Sequence, residues 1–300
     1  MKIDDIIESN KSELIKTIND HWKNNHILVR NSKVFDLQHK NDNTYSFLTL
    51  KHDNTIKSFL GYIYSNSSKN SLWLAIWKSI DSGSGGVNLL FHLISNNPEF
   101  IGVIGVSDFT SNITKKLGWV HGEMDHYYLS LKKKKNSFGA NLNNEEYVFS
   151  DSLNLDFLKL SSETLPLKDK EYYLKRYLKH PVFEYKYLSI KSLVFIGRIV
   201  KYQNSIIFHV VDVIGDLKDM TLKPQILFFL KREKIDIFEM MYYDSRPINI
   251  DLNLKDENEI IPIYFNPFEY RNIKIELAYK TNKDLPVRFF LGDGDQDRPN

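Results

Sequence analysis

The stretch from Asp81 to Leu90, DSGSGGVNLL, follows the apolar run SLWLAIW and precedes a helical spacing of Val87, Leu89, Leu90, Leu93 and Ile94. A strand that passes into a helix through glycine and serine offers unhindered N–H groups beside a helix N-terminus. Geometry and dipole both favour an anion there. Phosphate is the guest this predicts for Ser82, Gly83, Ser84, Gly85, Gly86 and Val87. The turn is not a P-loop, since no Gly-Lys-Ser/Thr follows, and it does not fit G-x-G-x-x-G. Both of those loops follow the first strand of a parallel unit, whereas this one follows the third strand of what reads as an antiparallel meander.

The elements that must position this turn are legible on both sides of it. Mixed three- and four-residue spacings of Ile3, Ile6, Ile7, Leu14, Ile15 and Ile18 predict amphipathic helices to about residue 24. TYSFLTL (44–50), SFLGYIYS (58–65) and SLWLAIW (71–77) predict strands, the first two joined by the polar connection KHDNTIK. After the glycine turn come a helix stopped by Asn-Asn-Pro, a buried strand FIGVIGV (100–106), a short helix over 109–117, and DHYYLSL closing the unit. KKKKNSFGANLNNEE reads as a linker. The second half repeats the order of parts, with a helix over 169–179, strands FEYKYLSI, SLVFIGRIV and SIIFHVVDVI, a helix near 222–232 and strand KIDIFEMM. The interval between the starts of SLWLAIW and FIGVIGV, at 71 and 100, equals that between SIIFHVV and KIDIFEM, at 205 and 234, as a diverged duplication would give. The expectation is an α/β (α+β) protein of two domains, 1–135 and 145–300, each a mixed, mostly antiparallel twisted sheet flanked by helices.

Composition narrows the chemistry. The 300 residues are 42% hydrophobic and 13% aromatic, enough for two cores, and 40 basic against 38 acidic residues leave a formal charge of +2. So small a field argues against a dedicated nucleic-acid or membrane binder. The chain has no cysteine, which excludes disulfides, thiolate metal sites and a thiol nucleophile. No metal is expected. The start, MKIDDIIESNK, lacks the basic and apolar regions of a signal peptide, so a cytoplasmic location is the default.

The succession of glycine turn, helix, strand and helix resembles the GNAT acyltransferase superfamily. In that family the loop after the fourth strand wraps the pyrophosphate of coenzyme A. Gly86 aligns with the last glycine of the family's loop, Ser84 with the first, and Asp81 with its basic or amide residue. SNITKKLGWVHGEMDHYYL is similar to the family's next helix and its Leu-Gly-aromatic turn, here Leu117, Gly118 and Trp119. Thr114 stands where the family often has a tyrosine that protonates the leaving thiolate. The resemblance implies that acyl-CoA is the co-substrate and that tandem GNAT-like domains are the architecture. Asn112 and the backbone around Ile76 and Trp77, where the strands 71–77 and 100–106 separate, would then contact the cofactor.

HWKNNHIL, FDLQHK, WLAIWK, PEFIGVIGVSD, DHYYL and the terminal GDGDQDRPN, taken in order, resemble a narrower group. These are N-acyltransferases acting on nucleotide-linked (dTDP or UDP) amino sugars of bacterial surface polysaccharides such as O-antigen and capsule. That resemblance implies direct attack of a sugar amine on the thioester, which needs a group or water chain to take a proton. His126 on the closing strand ranks first as that base and His39 second, with Asp293 of the tail a further candidate. His21, His26 and Asp295 would line the acceptor site, and Arg298 would meet a phosphate. The second half carries GDLKDMTLKP where the glycine turn should be, so one coenzyme A and one active site per chain are expected. Two other readings remain open: a tandem aminoacyltransferase using aminoacyl-tRNA, and a degenerate pair serving as a binding module. Neither the acyl group nor the oligomeric state is legible.

Overall fold

The structure is a computed structural model and describes residues 2–81, 83–131, 146–158, 160–202, 204–256, 261 and 274–295. Its first half contributes strands β1 (Lys2–Ile7), β2 (Lys40–Asn41), β3 (Thr44–His52), β4 (Thr55–Tyr64), β5 (Ser71–Ser79), β6 (Phe100–Ile104) and β7 (Val120–Glu123). Helices α1 (Lys11–His21), α2 (Ile27–Arg30) and α3 (Ser32–His39) cover one face of their sheet, and α4 (Gly85–Ser95) and α5 (Asp108–Lys116) belong to the other. Next come β8 (Asp125–Ser130), β9 (Val148–Ser150) and α6 (Lys170–Tyr173), which runs into a π-helical turn at Leu174–Leu178. The remainder is β10 (Lys186–Ile190), β11 (Leu193–Tyr202), β12 (Ser205–Ile214), α7 (Lys223–Arg232), β13 (Ile237–Asp244), β14 (Asn253–Leu254), β15 (Glu276–Thr281) and β16 (Arg288–Phe290).

Each half builds an antiparallel meander closed by one parallel pair. The β3–β4 connection turns through Asp53 and Asn54, both left-handed at φ 49 and 57, the conformation a two-residue hairpin demands. The first sheet has the order β1-β3-β4-β5-β6-β15-β7, with β2 also on β3; the second is β14-β8-β13-β12-β11-β10-β9, with β16 also on β13. On the α1–α3 face of the first sheet, Leu14, Ile18 and Phe35 pack on Phe47, Phe59 and Ile76. On the other face, Leu89, Leu90 and Leu93 of α4 pack on Leu60, Leu72 and Leu74. Trp73, Phe100, Leu277, Met241 and Phe289 join residues of both sheets in one further cluster.

The sheets exchange strands. Late in the chain, β15 enters the first sheet between β6 and β7, pairing Leu277 with Ile104 on one side and with Gly122 on the other. In return β8, the segment expected to close the first unit, pairs with β13 of the second sheet from Ser130–Ile237 to Asp125–Tyr242. The expected boundary between 135 and 145 lies outside the described residues, as does nearly all of the expected linker. On either side of it neither sheet is made from one half alone. Equivalent strands with the same alternation can trade places, so sequence order cannot reveal which sheet each joins.

The opening residues also depart from expectation. Residues 2–7 form a strand antiparallel to β3, not a helix, and Ile6 is buried while Ile7 faces solvent. A short apolar pattern fits either period, and covering the open edge of β3 decides it. With β1 counted and the two-residue β2 set aside, β5 becomes the fourth strand of the meander, not the third. Among the described residues no helix is long and apolar enough to cross a membrane.

Candidate functional site

The parallel strands β5 and β6 are paired at only three positions, Ser71–Phe100, Leu72–Ile101 and Trp73–Gly102. Beyond Trp73, β5 continues to Ser79 alongside β4 alone, and beyond Gly102, β6 continues to Ile104 alongside β15 alone. The register between β4 and β5 slips there as well. Gly61 pairs with Ile76 and Tyr62 with Leu74, which leaves Ala75 as the extra residue of a β-bulge. A bulge re-aims backbone groups next to the place where pairing ends. The edge of β5 from Leu74 to Trp77 thus presents backbone donors and acceptors at a wedge between two strands. Such a wedge can accept an extended ligand as a surrogate strand, and an N–H there can polarise a carbonyl.

At the mouth of the wedge stands the N-terminus of α4. Its N-cap, Ser84, makes no side-chain cap bond. Gly86 donates its N–H to Ser79 Oγ at 3.0 Å, whereas among the described residues the N–H groups of Gly85 and Val87 meet no protein acceptor. Two glycines are explained by close packing. A Cβ on Gly85 would lie 2.5 Å from Ser58 Oγ and 2.9 Å from Leu50 Cδ2, and one on Gly86 would lie 2.7 Å from the Trp77 indole nitrogen. Gly83 faces open space, and Ser82 lies outside the described residues. The acidic Asp81 is offset by Lys57, 3.4 Å away. On the α4 side Trp77 approaches Phe109 at 5.9 Å between ring centroids, and Phe109 is 64% exposed. Asn112, on the same helix as Phe109, is exposed.

The second half repeats this wedge and fills it with its own chain. The pairing of β12 with β13 ends at Val210–Met240, and a register slip leaves Val211 as the extra residue. β16 then pairs with β13 at Tyr242–Phe290 and Asp244–Arg288, while Gly292 donates its N–H to the Val211 carbonyl at 2.6 Å. The helix N-terminus is satisfied too: Asp251 accepts from the N–H groups of Leu222 at 2.6 Å and Lys223 at 3.1 Å. The turn at the place of the glycine loop is tied down as well, its Gly215 carbonyl held by Arg288 and its Asp216 by Arg246. In the second half, therefore, a carboxylate takes the anion position and a tail segment takes the strand position. Among the described residues no strand pairs with β5 or β6 in the corresponding gap of the first half.

The histidines and acids singled out from the sequence fall into different settings. His126 lies on β8, hence in the second sheet, with Nε2 2.9 Å from Glu239 Oε2; His209 Nδ1 contacts the other carboxylate oxygen. Burial alone would raise the Glu239 carboxyl, but His209 and His126 outweigh it and hold it down at about 2. This is a buried cluster that pins β8 to β12 and β13. Glu239→Ala strands two buried imidazoles and should cost about 3–5 kcal/mol, measurable by chemical denaturation. His39 is wholly buried, its Nδ1 3.1 Å from both Ser46 Oγ and the Tyr62 carbonyl, with its ring 4.5 Å from Phe47. Both environments are those of packed structural histidines.

His26 caps α2 through Nδ1, accepting from Leu28 N–H at 3.3 Å, and His21 is exposed at the end of α1. Asp293 is fully buried, 2.8 Å from Lys168 Nζ, and accepts from Phe290 N–H at 2.9 Å. It is therefore a structural anchor, withdrawn from any acceptor; an acid this late in a polar tail gives no sequence signal of burial. The tail does fold back, and a Cβ on Gly294 would touch Trp73 Cβ at 3.8 Å, beside the start of the first wedge. Asp295 follows, partly buried, and Arg298 lies outside the described residues. Thr114 is buried and bonded to the Thr110 carbonyl at 2.8 Å, with His121 Nε2 3.1 Å away. Burial and then Lys115 push the His121 imidazole below its ordinary value. Sequence reading missed Ala75, Lys168, Glu239 and Asp251; only the equal strand intervals hinted that a second wedge existed. Among the described residues no group of three or more metal-ligating side chains could hold a metal ion.

No protein-family model matches the sequence, and no curated protein matches it. Solved structures do. A GCN5-related N-acetyltransferase from Anabaena variabilis aligns over 93% of this chain and 72% of its own, at 8% identity and a TM-score of 0.56. The fold is that of tandem GCN5-related N-acetyltransferase domains. A second such protein, from Kribbella flavida, aligns over 93% of this chain and 70% of its own with a TM-score of 0.51 and 7% identity. A candidate acetyltransferase from Pyrococcus horikoshii spans 99% of this chain and 92% of its own, at 11% identity and a TM-score of 0.52. In this fold, the glycine turn precedes the helix of the half whose wedge is not filled by any strand among the described residues.

Proposed function

We propose that the protein is an acyl-CoA-dependent N-acyltransferase whose first half binds the donor. Its acceptor is the amine of a dTDP- or UDP-linked amino-deoxy sugar destined for surface polysaccharide. The observation that carries the reading is the asymmetry of the two wedges. In the second, a backbone segment lies in the gap and a carboxylate sits on the helix N-terminus. In the first, the pantetheine arm would take the place of the segment and the diphosphate that of the carboxylate. The order of sequence motifs supports the acceptor class, and both substrates belong to the cytoplasm.

The chemistry asked of the chain is modest. The neutral amine attacks the thioester carbonyl carbon, the C–N bond forms, and charge moves to the carbonyl oxygen, where a backbone N–H near Ile76 stabilises it. Collapse breaks the C–S bond and releases coenzyme A as thiolate, which takes a proton, while the ammonium gives one up to Asp295 or water. No acyl-enzyme forms. Thiol release measured with acetyl- and 3-hydroxyacyl-CoA against a panel of dTDP- and UDP-amino sugars should show turnover that requires the free sugar amine. Coenzyme A binding without thiol release for any sugar would instead favour a binding module.

A further inference from the structure

Between α3, the end of β4 and the α6–π-helical segment lies a cavity of about 410 Å³ with walls from both halves. Its lining is unbalanced in two respects. Lys40, Lys69, Lys175 and Arg176 face it together with Asp42 and Glu171, and Lys40 also reaches Glu8 at 3.4 Å. The Lys69–Asp42 and Lys175–Glu171 pairs are long and solvated, at 3.5 and 3.4 Å, so they neutralise little. Arg176, 9% exposed, donates to the carbonyl of Gly292 at 2.7 Å and so stands fixed in the cavity wall. Secondly, Gln38 Nε2 and Oε1 and Asn66 Oδ1, all on this wall, are buried without a hydrogen-bond partner among the described residues. Buried polar atoms are seldom left unpaired, and three on one cavity point to something that binds there.

The cavity also has a position relative to the wedge. Ile63 in its wall pairs with Trp73, the last residue of β5 still paired to β6. Gly61, opposite Ile76, is two residues back along β4, or about 7 Å, roughly the reach of one sugar ring. We propose that this cavity holds the nucleoside diphosphate of the acceptor, Arg176 and Lys175 meeting the phosphates and Gln38 and Asn66 the base or ribose. The sugar would then extend toward Ala75. This rests on the acyl-transfer reading above and assigns the acceptor half of that site.

The test is calorimetric titration of the full-length protein with UDP and dTDP, and separately with coenzyme A. At least one nucleotide should bind, Lys69→Glu/Lys175→Glu should weaken it tenfold or more, and coenzyme A affinity should stay unchanged. Both lysines are about half exposed, so the double variant should fold; Gln38→Leu is a second probe and should also weaken the nucleotide. Nucleotide affinity indifferent to all three changes, or absent while coenzyme A still binds, overturns the assignment. Failure of coenzyme A to bind the unaltered protein is a different result and sinks the acyl-transfer reading.

Discussion

Lys168→Met should destabilise the protein by about 3–5 kcal/mol at neutral pH, enough to loosen the second half in mild denaturant. The Lys168 ammonium lies 2.8 Å from both carboxylate oxygens of Asp212 and from Asp293 Oδ1, and both acids are fully buried. Removing the one cation leaves two adjacent carboxylates without compensation in the core. Tyr177 still donates to Asp212 at 2.8 Å, but a phenol cannot offset a charge. Asp293 also holds the turn after β16 through Phe290 N–H, so the strand that fills the second wedge should be released with it.

The pH dependence follows from the same group. Burial is the main cause that pushes the Asp293 carboxyl up from 3.8 to about 6, Lys168 pulling it down and Asp212 pushing it further up. Between about pH 4 and pH 6 the native state keeps a proton that the unfolded chain has released. This contribution to stability is complete below about pH 4 and is lost as pH rises through 6. In Lys168→Met the pull of the ammonium is gone, so the deficit should be larger at pH 7.5 than at pH 4.5. Denaturant midpoints at the two pH values check this, and a deficit below about 1 kcal/mol at both would remove the cluster from its structural role.

Gly85→Val should abolish coenzyme A binding, with a loss of at least a hundredfold. The added side chain must displace Ser58 and Leu50 or lift the first turn of α4 off the sheet, carrying the N–H groups of Gly85 and Val87 away from the wedge. The fold should survive, because α4 keeps Leu89, Leu90 and Leu93 in the core. Val87→Pro is the milder companion. It removes one helix-terminal N–H at a position where proline is tolerated, and one charge-assisted hydrogen bond is worth about 1.5–3 kcal/mol, or roughly a ten- to hundredfold loss of affinity. Calorimetry checks both variants, and unchanged affinity in the pair would remove the α4 terminus from donor binding.

The sequence carried the meander, the glycine turn and the succession of helices because each has a local cause: alternation, bare backbone, a proline stop. It did not carry the exchange of β8 and β15, since an exchanged strand has the same pattern as one that stays. For that reason His126, placed beside the donor by chain order, stands in the other sheet against Glu239. Asp293 was legible as a tail residue and illegible as a buried one, because its burial depends on Lys168, which is 125 positions earlier in the chain. The absence of a glycine turn from the second half was legible; the chain's own occupation of that wedge was not, because it is a property of three distant segments meeting.

The most direct measurement is the electron density of coenzyme A in crystals grown with it. The account predicts one molecule per chain, its diphosphate on the N–H groups of residues 83–87 and its pantetheine arm along β5 past Ala75. Density for the diphosphate at α7, in the place of Asp251, or for the arm displacing β16 from β13, would contradict it.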